Sequence, residues 1–127
     1  MISSAIKPNS GRRAPPRKAG GVSPAAQHKA RILQALAHPV RVSIFELLAE
    51  GEMTVGDIVK FLGTKEANTS RHLALLRGAG LVGTRKEGLN VYYSIKMPCL
   101  IPMLSCIADA ICSLADEHRD IAACLRR

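Results

Sequence analysis

Two groups of residues in this 127-residue chain have types and spacings that could do chemistry. The first is the run Asn68-Thr69-Ser70-Arg71-His72, with Lys65 just before it and the basic pair Arg85-Lys86 after it. Short or forked hydrogen-bonding side chains of this kind suit the edges and phosphates of a nucleic-acid duplex. The second group is Cys99, Cys106, Cys112 and Cys124, with Asp109 among them. Thiolates select soft ions, and they are also the groups that an oxidant would attack.

The polar run needs a rod to present it, and the flanking pattern supplies one. Val55, Ile58, Val59 and Leu62 recur at helical spacing, and Gly63 follows where a residue free to take positive φ best ends a helix. A second helix starts near Lys65. Leu73, Leu75, Leu76 and Ala79 are expected to face its core, leaving Asn68, Thr69, Ser70, Arg71 and His72 on the opposite side. The alternatives are a core place for Thr69 and a cap or packing place at the helix edge for His72. Two helices joined by a tight glycine turn, the second offering donors and acceptors outward, form a helix-turn-helix. Beyond it, Leu81–Arg85 and Val91–Ile95 have strand propensity and are joined by 86–90, which contains Gly88. This is a hairpin signal, and it puts Arg85 and Lys86 at the tip of a wing.

Upstream, Ser23 and Pro24 suit the cap and first turn of a helix carrying Ala26, Ala30, Leu33, Leu36 and Ala37. Pro39 breaks it and opens another over 40–49, with Phe45 in the core and Arg41 either in a rim ion pair or on a phosphate. Residues 1–22 hold Lys7, Arg12, Arg13, Arg17 and Lys18 without an acid, among prolines and glycines. They are expected to be a disordered basic arm, either solubilising or tracking DNA phosphates, and residues 23–127 a single folded domain. The sequence therefore predicts a mainly α fold with a small β-hairpin wing.

The formal charge of +8 and the pI near 9.8 favour a polyanionic partner, here double-stranded DNA. No apolar run approaches the roughly 20 residues that span a bilayer, and no secretory signal is visible, so no membrane partner and a cytoplasmic location are expected. No nucleophile-base pair or carboxylate cluster stands at a recognisable spacing, so an enzyme is not expected.

A last helix, with Pro98 near its start, is expected to run to about Ala123. Met103, Ile107, Ile111, Leu114, Ile121 and Leu125 form its apolar stripe, while Cys99, Cys106 and Cys124 lie on another side with Asp109, and Cys112 further round. Cys99 and Cys106 would stand about 10 Å apart along it, too far to chelate one ion together. Cys106 with Asp109, or Asp109 with Cys112, could share one.

Three segments in order, Leu36-Ala37-His38-Pro39-Val40-Arg41-Val42-Ser43-Ile44, Ser70–Val82 and Arg85–Ile95, resemble the ArsR/SmtB family of homodimeric winged helix-turn-helix repressors. The resemblance covers about residues 25–120. It implies that Lys65–Gly78 enters the major groove, that Arg85 and Lys86 belong to the wing, and that the first and last helices pair two protomers. It also implies release of the operator by a metal, metalloid or oxidant. The family's histidine-rich zinc pattern is absent, as is the thiolate site on the first helix of the helix-turn-helix. Three alternatives follow. One is a site for arsenite, cadmium, copper(I) or zinc built from Cys99, Cys106, Cys112 and Asp109. Another is a redox or persulfide switch of the same thiols, which would need Cα atoms within roughly 7 Å across a dimer. The third is no cysteine-dependent sensing.

Overall fold

The computed structural model describes residues 20–114. The proposed character of residues 1–19, Cys124 and the end of the last helix lie outside that range. Ser23–Ile101 form one compact unit.

Local signals start most of its elements. The Ser23 hydroxyl accepts from Ala26 N at 3.1 Å and opens α1, Pro24–Leu36. A residue preceding proline disfavours the helical region, and His38 is accordingly extended, with φ −154° and ψ 134°. It caps α2, Pro39–Leu48, by accepting from Val40 N through Nδ1 at 3.1 Å. Ile44, Phe45 and Leu48 bury the inner face of α2. The apolar stripe expected on α1 is only partly used: Leu36 is buried, whereas Leu33 is half exposed.

A short strand, β1 (Met53–Thr54), precedes α3, Val55–Leu62. Two residues carry no periodicity, which is why the sequence did not reveal it. Thr54 also closes a reciprocal capping box with Asp57, each side chain bonding the other's backbone N–H. Gly63, at φ 67°, ends α3 as expected.

After Thr64 and Lys65 comes α4, Glu66–Gly78. Its end is a complete Schellman motif: Gly80 N bonds Arg77 O and Leu81 N bonds Leu76 O, each at 3.0 Å. Gly80 takes φ 81° to allow it. Leu76 and Leu81, the pair the motif brings together, are both fully buried. The chain then runs directly into β2, Val82–Glu87, and β3, Asn90–Ile95.

The three strands form an antiparallel sheet in the order β1-β3-β2. The β2–β3 strands reach further than the sequence suggested, because only Gly88 and Leu89 form the turn. Gly88 has φ 62°, the positive value a two-residue hairpin loop needs at its first central position. The core of the unit gathers Leu36, Ile44, Phe45, Leu48, Ile58, Leu73, Leu76, Leu81 and Val82.

The last described helix is α5, Leu100–Ser113, which contains no buried residue. Pro98 and Cys99 form a turn ahead of it. Cys99 is therefore not a helical residue, and the expected helical spacing from Cys99 to Cys106 does not apply.

Candidate nucleic-acid interface

One face of α4 is pinned by Thr69, Leu73 and Leu76. Counting about 100° per residue from Thr69, Ala67, Arg71 and Ala74 point most directly outward, with Asn68 and Ser70 on either flank. All five are exposed. A ridge of small residues around one arginine lets a rod approach a groove closely. Lys65 stands exposed just ahead of the first turn. Arg77, which the sequence reading passed over, is exposed on the Ser70 side, and a helical wheel would have found it.

On this helix the buried alternatives hold for Thr69 and His72, and the core place expected for Leu75 is overturned. Thr69 is fully buried. Its hydroxyl donates to Lys65 O at 3.0 Å and, having no second proton, accepts from Thr64 Oγ1 at 2.6 Å. It fastens the turn and cannot contact DNA. Leu75 is half exposed, because it lies about 120° round the helix from Leu73–Leu76; with Ile32, Arg31 and His28 it lines an open groove of about 490 Å³ between α1 and α4. His72 is partly buried and turned inward against α2. Its ring lies 4.5 Å from that of His38, and burial, followed by the charges of His38, Arg41 and Arg71, lowers its pKa.

Arg41 does not form the expected rim ion pair with any described residue. Its Nη1 lies 3.4 Å from His72 Nδ1, its Nη2 donates to Gln34 O at 3.4 Å, and no carboxylate pairs with it among the described residues.

The wing also departs from expectation. Its tip is Gly88–Leu89, with Leu89 fully exposed, while Arg85 sits back on β2. Arg85 donates to Glu52 through Nε at 3.2 Å and Nη2 at 2.5 Å, and to Glu87 through Nη1 at 2.5 Å. Its guanidinium also lies 4.9 Å from the ring centroid of Tyr92, its cross-strand partner. Those hydrogen bonds hold the Glu52 carboxyl below its ordinary pKa and raise that of Arg85. The side chain braces the sheet across β3 and is not an uncommitted cation. Lys86, next along the strand and therefore on its other face, is exposed without an ion pair among the described residues.

Cys99 and Cys112 are exposed and Cys106 is half buried, all three free. Among the described residues no three His, Cys, Asp or Glu side chains are grouped to hold a metal ion. A site built from Cys99, Cys106, Cys112 and Asp109 would therefore need ligands from a partner helix.

Residues 36–85, from the end of α1 to Arg85, match a helix-turn-helix domain model. The regulator Rv0081 of Mycobacterium tuberculosis, described as an uncharacterized helix-turn-helix transcriptional regulator, is 38% identical over 78 residues, covering 61% of this chain and 68% of that protein. Its crystal structure superposes with a TM-score of 0.66 at 32% identity, over 76% of this chain and 97% of the other. This chain belongs to the winged helix-turn-helix transcriptional regulators. The regulator is also similar to the biofilm growth-associated repressor of Agrobacterium fabrum, at 37% identity over 70 residues, 55% of this chain and 60% of that one. A homodimeric winged helix-turn-helix DNA-binding domain from Mycobacterium bovis has a TM-score of 0.65 at 33% identity, covering 79% of the regulator and 96% of that domain. No helix among the regulator's described residues is long and apolar enough to cross a membrane.

Proposed function

We propose that this regulator is a homodimeric repressor of the ArsR type, placing one α4 in each half of an inverted-repeat operator. The observation that carries the reading is the division of α4 into a buried face of Thr69, Leu73 and Leu76 and an outward face of Ala67, Asn68, Ser70, Arg71 and Ala74. Asn68 is the base reader, since its amide can pair bidentately with adenine, and Ser70 assists it. Arg71 and Lys65 hold phosphates, with Lys86 doing so from the wing. Pairing of two protomers is supported by exposed Leu33 on α1, by exposed Ile107 on α5, and by the homodimeric relative.

Release of the operator is assigned to chemistry at Cys99, Cys106 and Cys112, two of which are open to solvent. A soft ion such as arsenite would draw thiolates from both protomers, because one chain gathers no three ligands among its described residues. Oxidation or persulfidation of the exposed thiols is the second reading, and their accessibility favours it.

The test begins with duplexes selected by the purified protein from a random pool. A twofold-symmetric site bound by a dimer, released by arsenite, cadmium or a mild oxidant and not released when the three cysteines are serine, is expected. A monomer that selects nothing would overturn the DNA reading. A release unchanged in the serine variant would overturn the thiol assignment alone.

A further inference from the structure

Arg41, His38 and His72 form a cluster that joins three helices. Arg41 reaches α1 through the Gln34 carbonyl and α4 through His72 Nδ1, at 3.4 Å each. Arginine has no acceptor, so His72 Nδ1 must offer a lone pair to Nη1. His72 must then be neutral, with its proton on Nε2. The Nδ1 of His38 is also occupied, accepting from Val40 N.

The groups facing His72 are all cationic or able to become so. They are His38 and Arg41 from α2 and Arg71 from α4 itself, while α1 contributes a carbonyl to Arg41. The latch is also weak. Both Arg41 bonds lie beyond the ordinary 2.7–3.2 Å range, and the Arg41 Nε is buried without a hydrogen-bond partner. A proton on Nδ1 would replace a donor–acceptor contact with two N–H groups pointed at each other, each carrying positive charge.

We infer that Arg41 is a positioning residue for DNA reading: through the neutral imidazole of His72 it sets the orientation of the core-anchored α4 on α1 and α2, and protonation of that imidazole removes this constraint. Because it rests on α4 being the DNA-reading helix, the inference deepens that assignment by giving it a proton-controlled support. It reverses the ordinary sign of the pH effect. A polyanion should bind a protein more tightly as its histidines charge. Here the selected operator should bind less tightly.

The experiment compares the full chain with Arg41→Lys and His72→Asn on the selected duplex, at about pH 8 and about pH 5.5, on either side of the histidine range. Nitrogen NMR of His72 is recorded in parallel, and circular dichroism checks that each variant is folded. The wild type should show an unprotonated Nδ1 at the higher pH and lose operator affinity at the lower, by up to roughly tenfold, the limit for one pKa unit between bound and free states. His72→Asn, whose side-chain oxygen can replace Nδ1 without titrating, should keep its affinity at both. Arg41→Lys, a single ammonium unable to fork to both partners, should bind more weakly at the higher pH and lose the pH dependence. Wild-type affinity that holds or rises on acidification, or an Arg41→Lys profile matching wild type, would overturn the inference while leaving the DNA reading intact. Failure of the wild type to select any duplex would remove both.

Discussion

The recognition helix and the wing each present an arginine, and the two are held in opposite ways. Arg71 stands on a rod whose far side is buried through Thr69, Leu73 and Leu76, while its own side chain is exposed without an ion pair among the described residues. Arg85 stands on a thin sheet and is itself part of what holds that sheet, bound to Glu52, Glu87 and the Tyr92 ring. A helix buttressed by the core can leave its outward residues free for a ligand. A two-sided hairpin has little core, so its charged residues serve as its fastenings. Positive charge in a sequence therefore does not measure positive charge available to DNA.

The largest expected effect tests the buttress. Leu76→Ala removes a fully buried side chain that also closes the Schellman motif. It should cost about 2–5 kcal/mol of stability in urea unfolding. A loss well below that range would mean α4 is held by something other than its buried face.

Arg71→Ala comes next. It should weaken binding to every duplex alike and reduce the salt slope by about one, whereas Asn68→Ala should change base preference at particular positions. Arg85→Ala in the same titration should barely move either quantity, and less than Lys86→Ala does. Equal losses from Arg71→Ala and Arg85→Ala would abolish the contrast between the two regions.

Gly80→Ala sharpens the same point, since the added side chain meets no atom within 4 Å and only the φ of 81° opposes it. The expected penalty is about 1–2 kcal/mol in thermal or urea melts.

The smallest effect is on the pH dependence of folding. His72 has a folded pKa below its ordinary 6.5. The unfolded chain then binds more protons in that window, and stability should fall as the pH drops below about 6.5. The Glu52 carboxyl, also lowered, adds a second decline below about 4.5, where its bond to Arg85 is lost. His72→Asn should flatten the first decline and leave the second.

Much of the scaffold was written locally. Ser23-Pro24, Pro39, Gly63 and Gly88 act on their own backbone and immediate neighbours, so each could be read where it stood. Leu73 and Leu76 were also legible, because burial follows helical period. Leu75 was misplaced because three leucines in four residues cannot all share one face, and only the packed neighbours decide which face turns inward. The two-residue β1 has no pattern of its own and exists because Tyr92 and Tyr93 on β3 pair with it.

The sequence by itself determined a helix-turn-helix, a wing, and a polar run on the second helix, because capping, periodicity and turn chemistry operate over a few residues. Which polar residues remain available was decided by tertiary structure. Thr69 was taken into the core, His72 was turned toward Arg41 from 31 positions away, and Arg85 was claimed by Glu52 from 33 positions away. Such pairings depend on which surfaces meet after the chain closes, and separation along the sequence carries no information about them.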